Sequence, residues 1–71
     1  MNPSKLRLDF NSPVALHEQI GEKLRERLAS GVFFQGERMP TVRELADTLQ
    51  VHFNTVARAY RELEAEGWLS T

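Results

Sequence analysis

The sequence has no cysteine among its 71 residues. This absence excludes a disulfide framework, a thiolate metal site and any chemistry that depends on a thiol. A chain of this length buries only about 60% of the surface that it exposes when unfolded, so its core is small. Apolar packing alone must therefore hold the fold together, without a covalent staple.

Long hydrophobic runs are also missing. The apolar stretches are only a few residues long, far short of a membrane span, and Met1 to Lys5 lack the apolar core of a signal peptide. We therefore expect a cytoplasmic protein with no membrane partner. Hydrophobic residues at 41% and charged residues at 27% indicate a folded globular domain rather than a disordered tail.

The chain has little net charge. The formal value of −1 argues by itself against a nucleic-acid partner. The charges are segregated, however: no acidic residue lies between Thr48 and Arg61, the stretch that also holds Arg58 and the titratable His52. Charge is felt locally, over a Debye length of roughly 8–10 Å. A positive face on this nearly neutral domain can therefore still meet phosphate.

The N-terminal part of the chain predicts one short strand. Residues 5–10 alternate polar and apolar side chains, which places Leu6, Leu8 and Phe10 on one face. We expect this strand to precede the first helix.

The first helix is predicted over residues 13–30. Ser12 is a suitable N-cap and Pro13 suits the first helical position, where its missing N–H costs nothing. Gly31 is a natural stop at the other end. The buried stripe of this helix is formed by Leu16, Ile20, Leu24 and Leu28.

Two further amphipathic helices follow, over 41–49 and about 53–66. Thr41 and Glu44 match a capping box at the start of the earlier helix, and Gly67 ends the later one. Their predicted apolar faces consist of Val42, Leu45, Ala46 and Leu49, and of Val56, Ala59, Tyr60 and Leu63.

A turn of about three residues joins these two helices, which is the helix-turn-helix arrangement. Its second helix characteristically enters the major groove of DNA. Opposite the apolar face, this helix carries Asn54, Arg58 and Arg61. Amide and guanidinium groups read adenine and guanine edges or bind phosphates, but the same side chains can also be simply solvated.

Several motifs closely resemble the GntR family of bacterial transcription regulators, and the start of the chain is most similar to its small YtrA-type branch. The resemblance runs from about residue 6 to 69. It rests on residues 36–46 (GERMPTVRELA), 54–56 (NTV) and 61–67 (RELEAEG), and for the branch on 8–20 and 59–63.

The resemblance implies a mainly α, three-helix winged helix-turn-helix, with a short N-terminal strand and a β-hairpin wing at the minor groove. Arg38 and Arg43 would approach the DNA backbone or groove, and the third helix would enter the major groove by its N-terminal end. A hydroxyl and free N–H groups in that first turn favour phosphate as well. The predicted DNA-binding residues are Arg38, Thr41, Arg43, His52, Phe53, Asn54, Thr55, Arg58 and Arg61.

Three places depart from the family pattern. Gln50 stands where most relatives have a glycine suited to a left-handed turn, which predicts a cost of up to about 1 kcal/mol. His52-Phe53 replaces a Ser or Asn cap followed by Arg or Pro. Because His caps poorly, we expect the third helix to begin a residue late or to lean on Asn54. Ala57 replaces a basic residue, so the base preference should differ from that of relatives.

We expect residues 1–71 to form a single DNA-binding domain, a fragment with a truncated wing that lacks a C-terminal effector or dimerisation region. The expected partner is a double-stranded DNA operator, bound by a homodimer of the full-length protein that acts as a repressor. Any effector ligand would bind the missing region. The alternative is a winged-helix module for protein–protein contact, which responds far less to salt than DNA binding does.

Other features of the sequence favour structural roles. Glu18, Glu22 and Glu26 alternate with basic residues and indicate a solvated face. His17 and His52 have no partner at ligand spacing, so we expect neither a metal nor another cofactor, and no arrangement of residues indicates an enzyme. Trp68 is expected to cover the core after the third helix. Phe53 could pack inward or touch a thymine methyl, and we favour inward packing.

Overall fold

Three helices follow one another in the computed structural model, which describes residues 7–31 and 39–69. They are α1 (Leu16–Ala29), α2 (Val42–Leu49) and α3 (Phe53–Ala65). Helix α3 packs against both α1 and α2. Within the described ranges, no helix is long and apolar enough to cross a membrane.

The core lies between α3 and the other two helices. Every helix contributes to it from the face that the apolar spacing predicts. Tyr60, Val42 and Leu49 are only partly buried and pack around its edge. The buried members are Ile20 and Leu24 of α1, Leu45 and Ala46 of α2, and Val56, Ala59 and Leu63 of α3.

Helix α1 begins at Leu16, so the predicted start at residue 13 is wrong. The Ser12 hydroxyl does not cap the helix but accepts a 3.0 Å hydrogen bond from the Val14 amide. The Gln19 side chain holds the preceding segment: its amide donates to the Asp9 and Val14 carbonyls at 3.0 and 2.9 Å. These bonds satisfy the loop backbone outside the helix. At the other end Gly31 has φ 81° and follows the last helical turn, so the predicted stop is confirmed.

The predicted N-terminal strand is wrong for residues 7–10; residues 5 and 6 lie outside the described ranges. The chain turns here instead, because the Asp9 carboxylate accepts a 2.9 Å hydrogen bond from the Asn11 amide, an Asx-type turn. Leu8 packs against the core. Phe10 does not, since 62% of its surface is exposed.

The chain after α3 is held by a Schellman motif. The Trp68 amide donates to the Leu63 carbonyl at 2.9 Å, the Gly67 amide donates to the Glu64 carbonyl at 3.0 Å, and Gly67 has φ 87°. Leu69 packs against the core, whereas Trp68 is exposed, so the prediction that Trp68 covers the core is wrong. Residues 66–69 form a turn and a bend, and no wing strand occurs in the described part of the chain.

Candidate nucleic-acid interface

The turn between α2 and α3 consists of residues 50–52. The chain changes direction here through one residue in the left-handed conformation. Gln50 has φ 56° and ψ 48°, which is the conformation expected from the family's glycine. The Val51 amide donates to the Ala46 carbonyl at 3.1 Å and the Gln50 amide to the Asp47 carbonyl at 3.3 Å. These bonds close the end of α2 and fix how the two helices meet.

The start of α2 is fixed by two sets of contacts. The predicted capping box is confirmed: the Thr41 hydroxyl accepts from the Glu44 amide at 3.1 Å, and the Glu44 carboxylate accepts from the Thr41 amide at 2.8 Å. The Tyr60 hydroxyl of α3 donates to the Pro40 carbonyl at 2.6 Å. Burial, and secondarily the charge of Glu44, raise the pKa of Tyr60 to about 12. Helix α3 thus holds the residue just before the α2 cap.

His52 caps α3, which corrects the expectation that it would cap poorly. Its Nδ1 accepts a 3.0 Å hydrogen bond from the Asn54 amide, and the helix begins at Phe53 without delay. A ring nitrogen that accepts cannot carry a proton, so the proton of the neutral imidazole is on Nε2. His52 is exposed, and therefore offers an N–H donor at the helix end.

Phe53 is exposed over 47% of its surface, so the expectation of inward packing is wrong. The guanidinium of Arg43 lies over its ring, with the central carbon 5.9 Å from the ring centroid. This distance is within cation–π range. The contact joins the first turn of α2 to the first residue of α3.

The outer face of α3 is polar, as its helical spacing predicts. Asn54, Arg58 and Arg61 are exposed, and Thr55 is half-buried. The Arg58 Nε lies 3.5 Å from the Glu62 carboxylate one turn along, with the arginine side chain 62% exposed. The same Glu62 oxygen lies 3.0 Å from the buried Nδ1 of His17, although the two atoms are not aligned for a full hydrogen bond.

Most acidic side chains of α1 lie away from this face, whereas Glu62 pairs with Arg58 on it. Glu18, Glu22 and Glu26 of α1 are exposed, as predicted for a solvated surface. Helix α1 packs against α3 through the buried side of α3, opposite Arg58. The local positive charge comes from Arg43, Arg58 and Arg61, and the first part of α3, residues 53–61, carries no acidic residue in a chain whose total is −1.

Comparison with known proteins agrees with this geometry. The model of the gntR family of bacterial regulatory proteins matches residues 16–71, which is most of the chain. The chain belongs to the GntR family. This membership supports a DNA-binding regulatory role for its helix-turn-helix.

Individual GntR-type relatives are similar over nearly the whole chain. The chain is 38% identical to the HTH-type transcriptional repressor YtrA of Bacillus subtilis over 66 residues, covering 93% of this chain and 51% of YtrA. It is 42% identical to the HTH-type transcriptional regulator Rv1152 of Mycobacterium tuberculosis over 66 residues, covering 93% of this chain and 54% of Rv1152. The chain thus spans about half the length of these two relatives. No solved structure matches it.

The structure brings Arg43 of α2 beside Phe53 of α3, and the Asn54 amide donates a hydrogen bond to His52. Around the two helix starts lie Thr41 and Arg43 with His52, Phe53, Asn54 and Thr55, while Arg58 and Arg61 continue along α3. Arg38 lies outside the described ranges. Among the described residues no group of three or more His, Cys, Asp or Glu could hold a metal ion.

Two features of the site were missed by reasoning from sequence. The Arg43–Phe53 contact joins residues ten apart on different helices, and helical spacing carries no signal for it. The His17–Glu62 contact joins α1 to α3. The His52 cap is a different case, because the sequence could have predicted it. An unprotonated ring nitrogen at a helix start can accept a hydrogen bond from the helix backbone.

Proposed function

We propose that this chain is the DNA-binding domain of a GntR-type transcriptional repressor. In this proposal α3 enters the major groove by its N-terminal end and α2 crosses the backbone. The observation that carries the proposal is the clustering of His52, Phe53 and Asn54 at the exposed start of α3, beside Arg43. None of the three side chains belongs to the apolar core, and only His52 has a structural role there, as the cap of α3.

The side chains at the backbone would be Thr41, Arg43 and Thr55. Arg43 projects from the first turn of α2 with its charge on an exposed side chain, which suits a phosphate. A threonine hydroxyl that accepts one hydrogen bond can still donate one, so the capping role of Thr41 is compatible with phosphate binding. Thr55 adds a hydroxyl in the first turn of α3, where the helix end favours anions. Arg38 is proposed for the same role on the family pattern alone.

The side chains at the base edges would be His52, Asn54 and Arg58. The Nε2–H of His52 would donate to a purine N7 or O6, Asn54 suits adenine and Arg58 suits guanine. Arg58 must first leave Glu62, but the loss is small because an exposed ion pair of this kind contributes only about 0–1 kcal/mol. Arg61 is one turn further along the helix, where either a base or a phosphate is within its reach.

The remaining parts of the proposal concern the whole protein. Repression is carried over from YtrA, which is named a repressor. We place dimerisation and any effector site in a C-terminal region, because the relatives are about twice as long as the matched segment. The relatives are named as regulators, which supports a non-enzymatic protein. Its location would be the cytoplasm, where bacterial DNA lies.

The test measures binding of the full-length protein to a duplex that it selects from a randomised library, with a scrambled duplex as reference. Fluorescence anisotropy at several salt concentrations should give a log–log slope near −0.9 for each phosphate contact, about −4 or steeper for a dimer. Lys23→Ala, on the middle of α1, is the matched control for loss of one cation and should leave the slope unchanged. Selection of no duplex, or an affinity for both duplexes that salt does not alter, would favour protein–protein contact and contradict the proposal.

A further inference from the structure

Phe53 has no part in the folded core. It belongs neither to the buried cluster nor to the partly buried residues that pack against it, and 47% of its surface meets solvent. Helix formation does not call for an aromatic ring at the first helical position, where proline is the over-represented residue. Folding therefore does not explain the phenylalanine.

The ring nevertheless has a defined neighbour. The central carbon of the Arg43 guanidinium lies 5.9 Å from the ring centroid, which is within the range of a cation–π attraction. The His52 side chain fixes the backbone on the other side by capping the Asn54 amide at 3.0 Å. The result is an oriented apolar surface between a cation and the polar start of α3.

The position of this surface limits what it can contact. The N-terminal residues of the second helix are those that reach base edges in a helix-turn-helix, while the helix before it lies at the backbone. In the major groove only thymine presents an apolar group, the C5 methyl. The apolar ring of Phe53 lies beside Arg43, which we propose binds a phosphate. The ring is therefore placed to contact a thymine methyl close to the DNA backbone.

We propose that Phe53 contacts the C5 methyl of a thymine and selects for that base in each half-site of the operator. This inference rests on the proposed function, since it requires α3 to lie in the major groove. Arg43 has a second role in it, because its guanidinium holds the ring against the methyl while its N–H groups face the neighbouring phosphate.

The experiment replaces each thymine of the selected duplex in turn with deoxyuridine, which differs only by lacking the methyl group. In each half-site, one of these replacements should weaken binding of the full-length protein about fourfold. This is the effect expected from removing one buried methyl group. Phe53→Ala should bind the thymine duplex more weakly and lose the distinction between thymine and uracil at that position. Phe53→Leu, which keeps an apolar side chain, should retain part of it.

Phe10→Ala is the matched control. Phe10 is an exposed phenylalanine outside the two motif helices, and its removal should leave the fourfold difference intact. The comparison in the wild-type protein does not depend on any variant folding, and circular dichroism checks that Phe53→Ala keeps its helices.

Two results would overturn the inference. One is equal binding of the wild-type protein to thymine and uracil at every position. The other is a thymine preference that survives in folded Phe53→Ala, which would assign the methyl contact to another residue. Failure of the wild-type protein to select any duplex is a different result, because it would overturn the proposed function itself.

Discussion

At the scale of single residues, Arg43 and Arg58 separate two kinds of DNA contact. Arg43 is at the start of α2, which we propose lies against the backbone, and Arg58 is on the exposed face of α3, which we propose enters the groove. We expect Arg43→Ala to weaken binding to operator and scrambled duplexes, to reduce the salt slope by about one unit for each bound copy, and to add a smaller loss on the operator through Phe53. Arg58→Ala should lose about 1–3 kcal/mol, mainly on the operator.

Anisotropy titrations of the full-length protein with both duplexes, repeated at several salt concentrations, measure these losses. Equal losses on the two duplexes for Arg58→Ala would make Arg58 a phosphate contact and leave base recognition to Asn54 and the His52–Phe53 pair. A loss confined to the operator for Arg43→Ala would place α2 in the groove rather than at the backbone.

Tyr60 predicts a pH dependence of stability in alkaline solution. Its pKa is about 12 in the folded chain, against about 10 in an unfolded one. The unfolded chain loses the proton first, so the free energy of unfolding should fall as the pH rises from about 10 to about 12 and be unaffected by this group at lower pH. Tyr60→Phe should remove this decline.

Denaturant unfolding of wild type and Tyr60→Phe at each pH in this range gives the difference between their free energies of unfolding. The titration of lysines affects both proteins equally and cancels in this difference. Tyr60 is the single tyrosine of the chain, so the tyrosinate absorbance reports its pKa directly. Near neutral pH the variant should be less stable by about 0.5–1.5 kcal/mol, because the Pro40 carbonyl loses its donor. A phenol that ionises near pH 10 in the folded protein would contradict the Tyr60–Pro40 bond.

At the scale of elements, the packing of α2 depends on very few buried side chains. Leu45 is fully buried with Val56 in one apolar cluster. Leu45→Ala should lower the free energy of unfolding by roughly 2–5 kcal/mol, close to the whole stability of a small domain. Leu49→Ala, at a half-buried position of the same helix, should cost clearly less. Thermal melting by circular dichroism measures both, and equal shifts would mean that α2 presents a different face to α3.

The elements also show how far the sequence predicts this fold. The faces of α2 and α3 and the capping box at Thr41 follow from local spacing and capping chemistry, whereas the left-handed Gln50 is implied by the family resemblance, and the structure has all of them. The N-terminal strand does not follow, because alternation over six residues needs a partner strand and the Asp9 turn competes with it. Phe53 is at the edge of the apolar face, where only the three-dimensional position of Arg43 determines which way the ring points.

At the scale of the whole molecule, charge distribution matters more than total charge. A net charge of −1 gives no long-range attraction for DNA, so binding must come from the local surface of α2 and α3. The cations of this surface in the described part of the chain are Arg43, Arg58 and Arg61. One copy of this chain therefore neutralises few phosphates, and two half-sites are needed for a tight complex.

We accordingly expect the 71-residue chain alone to bind DNA weakly, with a Kd nearer the nonspecific range of about 10⁻⁴–10⁻⁶ M at physiological salt. Tethering two copies through a flexible linker long enough to span adjacent half-sites should strengthen binding by about 10²–10⁴-fold on the operator, because the second contact becomes intramolecular. Anisotropy titrations of the single and tethered chains measure both values, with a duplex holding one half-site as the control. A tight, operator-specific complex of the single chain would show that the contacts of α2 and α3 suffice, and that a second copy adds nothing to recognition.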